Sequence, residues 1–156
     1  MARSTKATRR IEALRATARD PNLVEVRVGA RTVATLPRSR ADELRLREGA
    51  AWTPALAARV EHAGAVELAR EAALGFLAKR SWSAAGLAAR VERGGHAVEA
   101  AREAVSALVA DGWLDDRAYA LDRAERLQRR GSRSEEALQA TLEAEGVAPR
   151  LARAVA

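Results

Sequence analysis

Alanine constrains this chain more than any other residue. It occupies 39 of the 156 positions, whereas Leu, Val, Ile and Phe together fill only 31. That share of core-forming side chains is close to the level at which chains stay disordered, so backbone preference must make up for scarce apolar bulk. Ala has the highest helix propensity of any residue. The composition therefore predicts thin helices packed at short range, and it excludes a parallel sheet, whose strands need runs of bulky β-branched residues. The length suits one domain or two small ones.

The helical part repeats. Shifted by 51 residues, the sequence superposes Phe76 on Leu127, Ser83 on Ser134, Leu87 on Leu138, Val91 on Leu142 and Gly95 on Gly146. A period of this size marks one supersecondary unit used twice. In the first copy three apolar stripes follow the three-and-four spacing of amphipathic helices: Ala69, Ala72, Ala73, Phe76; then Ala84, Leu87, Ala88, Val91; then Val98, Ala101, Val105, Leu108. Ser83 and Ser134 are N-cap candidates, and Gly94-Gly95, Gly112, Gly131 and Gly146 fall where helices should stop. The expected fold is mainly α, with tandem three-helix-bundle repeats over 66–115 and 116–156 forming an elongated body, the second shortened after Pro149.

Ahead of the repeats, Val24, Val26 and Val28 alternate with Glu25 and Arg27, and Gly29-Ala30 separates them from Thr32 to Leu36. The pattern predicts a small β-hairpin, followed over the rest of 21–65 by short helices. One starts near Ser39, and one is capped by Thr53 with Pro54 in its first turn and ends about Ala63. Residues 1–20 hold six cations against Glu12 and Asp20 and little apolar bulk, which predicts a flexible basic arm. The chain before Glu67 has 13 basic and 7 acidic residues and the remainder has 14 of each, so the net charge of +6 belongs to this end. Arg3, Lys6, Arg9 and Arg10 are the candidates for contact with DNA phosphate.

There is no cysteine, phosphate-binding glycine loop or H-E-x-x-H pair, and His62 and His96 lack ligand spacing. Nothing requires catalysis or a cofactor. No apolar run reaches the roughly 18 residues that cross a bilayer and no signal-peptide pattern opens the chain, so a cytoplasmic protein is expected. Asp115-Asp116 reads as a helix cap rather than a cation site, which needs more oxygen ligands. Trp82 and Trp113 read as core plugs at helix junctions, with stacking on single-stranded bases as the alternative. Arg126, Arg129, Arg130 and Arg133 form either a solvated run or a partner contact.

Two stretches resemble the RecX family: A-L-G-F-L-A-K-R-S-W-S-A-A-G-L from Ala73 to Leu87, and L-V-A-D-G-W-L-D-D-R-A-Y-A from Leu108 to Ala120. Arg80 with Trp82-Ser83 matches the family's Arg and aromatic-Ser pattern. Leu108, Gly112, Trp113, Leu114, Asp115, Asp116, Tyr119 and Ala120 fill every position of its most specific signature, with Trp113 in place of the more usual Tyr or Phe. The resemblance implies a non-enzymatic regulator of recombination and the SOS response. Such a protein binds the RecA filament on single-stranded DNA and inhibits ATP hydrolysis, strand exchange and co-protease activity. Arg80, Trp82, Arg129, Arg130 and Arg133 are then the partner-facing candidates, chosen on charge and expected exposure. Two other classes stay open: a helix-turn-helix protein reading duplex DNA with the helix after Gly94-Gly95, and a nonspecific DNA binder acting through the basic arm.

Overall fold

Among residues 9–156, which the computed structural model describes, a small antiparallel sheet precedes seven helices. The strands are β1 (Ile11–Ala16), β2 (Leu23–Val28) and β3 (Arg31–Pro37), in the order β1-β2-β3. The helices are α1 (Arg38–Glu43), α2 (Pro54–Leu77), α3 (Ala84–Arg93), α4 (Val98–Ala110), α5 (Asp116–Arg129), α6 (Glu135–Ala144) and α7 (Pro149–Val155). The chain divides into two compact units, one ending at Glu67 and one comprising Leu68–Ala156.

In the first unit the period-two pattern of β2 behaves as expected: Val24, Val26 and Val28 are buried and the residues between them are not. Val26 and Val28 join Ile11 and Leu36 from the neighbouring strands, Ala41, Leu44 and Leu46 from α1 and its exit, and Val60 and Ala63 from α2 in one core. Two expectations are corrected here. Ile11–Ala16 is not part of a flexible arm but the third strand, pairing with β2 through Ile11↔Val28 and Ala16↔Val24. Its other edge is tied to the segment before α2, where the Ile11 amide donates to the Ala50 carbonyl at 2.9 Å and the Gly49 amide to the Ile11 carbonyl at 2.8 Å. Local sequence carried no sign of this, because the strand has one large buried side chain and its hydrogen bonds go to distant residues.

The second correction concerns α2. Thr53 caps it as expected, accepting from the Leu56 amide at 3.1 Å, but the helix does not end near Ala63; it runs unbroken for 24 residues. Gly64 is an interior position. A Cβ there would lie 3.2 Å from the Cβ of Ala34 on β3, so the missing side chain lets helix and sheet approach closely.

In the second unit the 51-residue register reappears in the helix ends. Ser83 caps α3 and Ser134 caps α6, each accepting from the amide three residues on, at 3.0 and 3.2 Å. Ala97 and Ala148 precede α4 and α7 with nearly identical backbone angles, φ −60° and ψ 140° against φ −58° and ψ 139°. The apolar stripes are buried at Ala69, Ala73, Leu87, Val91, Ala101, Val105 and Leu108, whereas Val98 is exposed. Helices α5 to α7 enclose Ala120, Ala124, Leu127, Leu138, Leu142, Val147 and Ala152.

Ile11→Ala should cost about 2–4 kcal/mol, the usual result of emptying a core position, although an arm residue would tolerate it freely. Urea denaturation of the two forms measures the difference.

Candidate partner-binding site

The signature from Leu108 to Ala120 folds into a joint between α4 and α5. Leu108 is fully buried, and its carbonyl accepts from the Trp113 amide at 2.9 Å while the Val109 carbonyl accepts from the Gly112 amide at 3.0 Å. This paired closure of a helix end requires a left-handed residue after the cap, and Gly112 has φ +81°. Asp115 then starts α5, its Oδ1 accepting from the amides of Arg117 at 2.8 Å and Ala118 at 3.0 Å. Asp116 caps a different helix: its Oδ1 accepts from the Ala84 amide at the start of α3, 2.7 Å away. The paired carboxylates are both engaged in capping. No cluster of three or more metal-ligating side chains occurs among the described residues.

At the start of α3 the chain meets the end of α6. Ser83 is 1% exposed; its hydroxyl donates to the Glu145 carbonyl and accepts from the Gly86 amide. A Cβ on Gly86 would stand 2.9 Å from the Glu145 carbonyl oxygen, and one on Gly146 only 2.8 Å from the Gly86 nitrogen. Backbone therefore packs on backbone, and α3 and α6 are joined without bulky side chains between them.

The Glu145 side chain holds α5 to the same point. It accepts from the Tyr119 hydroxyl at 2.8 Å and from Arg123 Nε at 2.9 Å and Nη2 at 2.6 Å. The Arg123 hydrogen bond holds the Glu145 carboxyl below the usual carboxylate range, outweighing its partial burial. Burial, reinforced by the hydrogen bond to Glu145, pushes the Tyr119 phenol up to about 12. Sequence reasoning found Tyr119 but missed Arg123 and Glu145, which lie 22 positions apart in the chain and share no motif.

Beside this joint lies a half-buried aromatic group. The Arg80 guanidinium sits 3.5 Å from the centre of the Trp82 ring, Trp82 meets Phe76 edge-on at 6.3 Å, and Arg90 lies 4.3 Å from the centre of Phe76. Cation–π contacts of this kind are worth about 0.5–2 kcal/mol. Trp82 is thus a plug with a charged lid, and the Trp82 indole nitrogen is buried without a hydrogen-bond partner among the described residues. Trp113 overturns the core expectation, being 59% exposed. The closure at Gly112 turns it outward, and Leu114, only 7% exposed, takes the core position instead.

The remaining candidates are distributed unevenly. Arg129 is exposed but paired with Glu125, and Arg126 is paired with Asp122, each one helical turn apart. Arg130 and Arg133 are exposed and make no ion pair among the described residues. Arg9 is exposed, whereas Arg10 donates to the Gly49 carbonyl at 2.7 Å and helps fasten β1. Arg3 and Lys6 lie outside the described residues. On α4, Arg102 is the only basic residue and lies 3.7 Å from Glu92, a poor face for a DNA groove. No helix among the described residues is long and apolar enough to cross a membrane.

These features define a mainly helical protein with a small N-terminal sheet, whose signature residues cap and join helices. Among solved structures, a crystal structure described as regulatory protein RecX superposes with a TM-score of 0.74 at 14% identity, covering 94% of this chain and 72% of its own. RecX from Lactobacillus salivarius superposes with a TM-score of 0.54 at 13% identity, over 58% of this chain and 59% of its own. The chain has the RecX fold. No protein-family model and no curated sequence matches it.

Three substitutions at the joint have expected outcomes. Ser83→Ala should destabilise the protein by about 1–3 kcal/mol, because buried groups lose a donor and an acceptor together, and Gly146→Ala should cost more, since it adds a clash at a residue with φ +89°. The Glu145 contribution is complete above the ordinary glutamate range and lost as pH falls through its lowered pKa; that of Tyr119 is complete below 10 and lost as pH rises through about 12. Glu145→Gln should therefore flatten the acid limb of the profile of melting temperature against pH and shallow the alkaline limb, where burial of Tyr119 remains.

Proposed function

We propose that this protein is a RecX-type regulator that binds the RecA filament on single-stranded DNA and restrains its ATP hydrolysis, strand exchange and co-protease activity. The observation that carries the reading is the superposition on regulatory protein RecX over 94% of the chain, reached from a sequence whose signature forms the α4–α5 joint. The engagement of Asp115, Asp116, Ser83 and Tyr119 in helix capping and helix contacts supports a binding role over an enzymatic one. Arg80, Arg130 and Arg133 are the exposed cations best placed to meet the partner, with Trp82 beneath Arg80; Arg129 reaches it only by giving up Glu125. Residues before the sheet, Arg3 and Lys6 with Arg9, contact DNA phosphate in this reading, whether single- or double-stranded.

Purified protein should slow RecA-dependent ATP hydrolysis on single-stranded DNA at substoichiometric amounts, and absence of an effect at equimolar protein would defeat the reading. A deletion that probes the basic end must stop short of Ile11, because β1 begins there. Removing residues 1–8 should weaken DNA binding and lower its salt dependence, by up to ~0.9 log unit per log unit of salt for each phosphate no longer neutralised, while leaving inhibition of the recombinase in place. Loss of all activity in that variant would favour nonspecific DNA binding through the arm.

A further inference from the structure

Trp113 stands where its exposure is costly. In a chain with five aromatic residues and few large aliphatic ones, burying an indole would be among the largest available gains in stability. Yet Trp113 is 59% exposed, and Val109, one turn earlier on α4, is 43% exposed. The backbone that presents it is fixed on both sides: the Gly112 and Trp113 amides close α4, Leu114 is buried, and Asp115 caps α5. One groove, of about 380 Å³, is lined by the indole together with Leu77, Trp82, Ala118 and Tyr119; a second, of about 500 Å³, is lined by Ala84, Val109 and Arg117 with the chain neighbours of Trp113, Gly112 and Leu114.

We infer that Trp113 is the anchor of a protein–protein interface, inserting into an apolar socket on the partner while the two grooves receive the socket's rim. Charge decides between a protein and a nucleic acid as the occupant. Asp115 and Asp122 stand at the first groove with Arg126, and Asp115 and Asp116 at the second with Arg117, and Arg126 is itself paired with Asp122. A phosphate backbone would meet at least as many anions as cations there, whereas a protein surface with charges of both signs can complement such a rim. An exposed tryptophan on a rigid backbone, beside shallow grooves that mix apolar and charged side chains, has the residue type most enriched at interface hot spots, and its fixed presentation spares the ordering cost of binding. The inference rests on the function proposed above, which makes the partner a subunit of the RecA filament.

The test compares the wild-type protein, Trp113→Ala and Trp113→Phe in binding to RecA filaments assembled on single-stranded DNA and to the same oligonucleotide without RecA. Because the side chain is mostly exposed, both variants should keep the wild-type circular dichroism and melting temperature. Trp113→Ala should weaken filament binding by roughly 30-fold, the loss typical of a hot-spot residue, with free DNA binding unchanged, and Trp113→Phe should recover part of the affinity. Unchanged filament affinity in Trp113→Ala overturns the anchor while leaving the recombinase reading intact. Loss of free DNA binding to the same extent as filament binding overturns it in favour of base stacking. A wild-type protein that does not bind the filament at all removes the proposed function, and with it the partner assigned here.

Discussion

The meeting of two helix ends at Ser83 governs the arrangement of the C-terminal unit. One hydroxyl accepts from the Gly86 amide within its own helix and donates to the Glu145 carbonyl at the end of α6, so the first turn of one helix and the last turn of another share a single buried group. Asp116 adds a cap to α3 from the start of α5, and the Glu145 side chain draws in Tyr119 and Arg123 from the same helix. Helix ends carry unsatisfied amides and carbonyls that must find partners. Here those groups are used to hold helices to one another, which suits a chain with little apolar bulk to do the same work.

The N-terminal unit meets the same shortage differently. It gathers most of the chain's alternating valines into one sheet face and closes it with α2, and Gly64 opposite Ala34 reduces the distance between layers instead of filling it. In both units small residues at the contact replace large ones. Close approach recovers the dispersion contacts that bulky side chains would otherwise supply.

A protein built in this way has few aromatic side chains to spare, which gives the placement of Trp113 its meaning. Trp82 is covered by Arg80 and braced by Phe76, and it serves the interior. Trp113 is turned outward by a helix closure that fixes its position. The signature from Leu108 to Ala120 is thus mostly architectural: its Leu, Gly, Asp and Tyr residues stop, start or pack helices, whereas its tryptophan is turned to the surface.

Local chemistry made much of this legible in advance. Thr53, Ser83 and Ser134 act as caps, Gly112 and Gly146 close helices, and the 51-residue register of the helix boundaries could be read from residue type alone, because each depends on neighbours within a few positions. The sequence alone therefore determined that the chain is mainly helical, where most of its helices begin and end, and that one of the adjacent carboxylates Asp115 and Asp116 serves as a cap. Only the tertiary structure decided that Ile11–Ala16 is a strand, that Gly64 is a contact and not a stop, that Glu145 joins Tyr119 to Arg123, and that Trp113 faces outward. Each of these depends on groups brought together from distant parts of the chain, or on the direction a side chain takes once a fold surrounds it, and neither is encoded in local spacing.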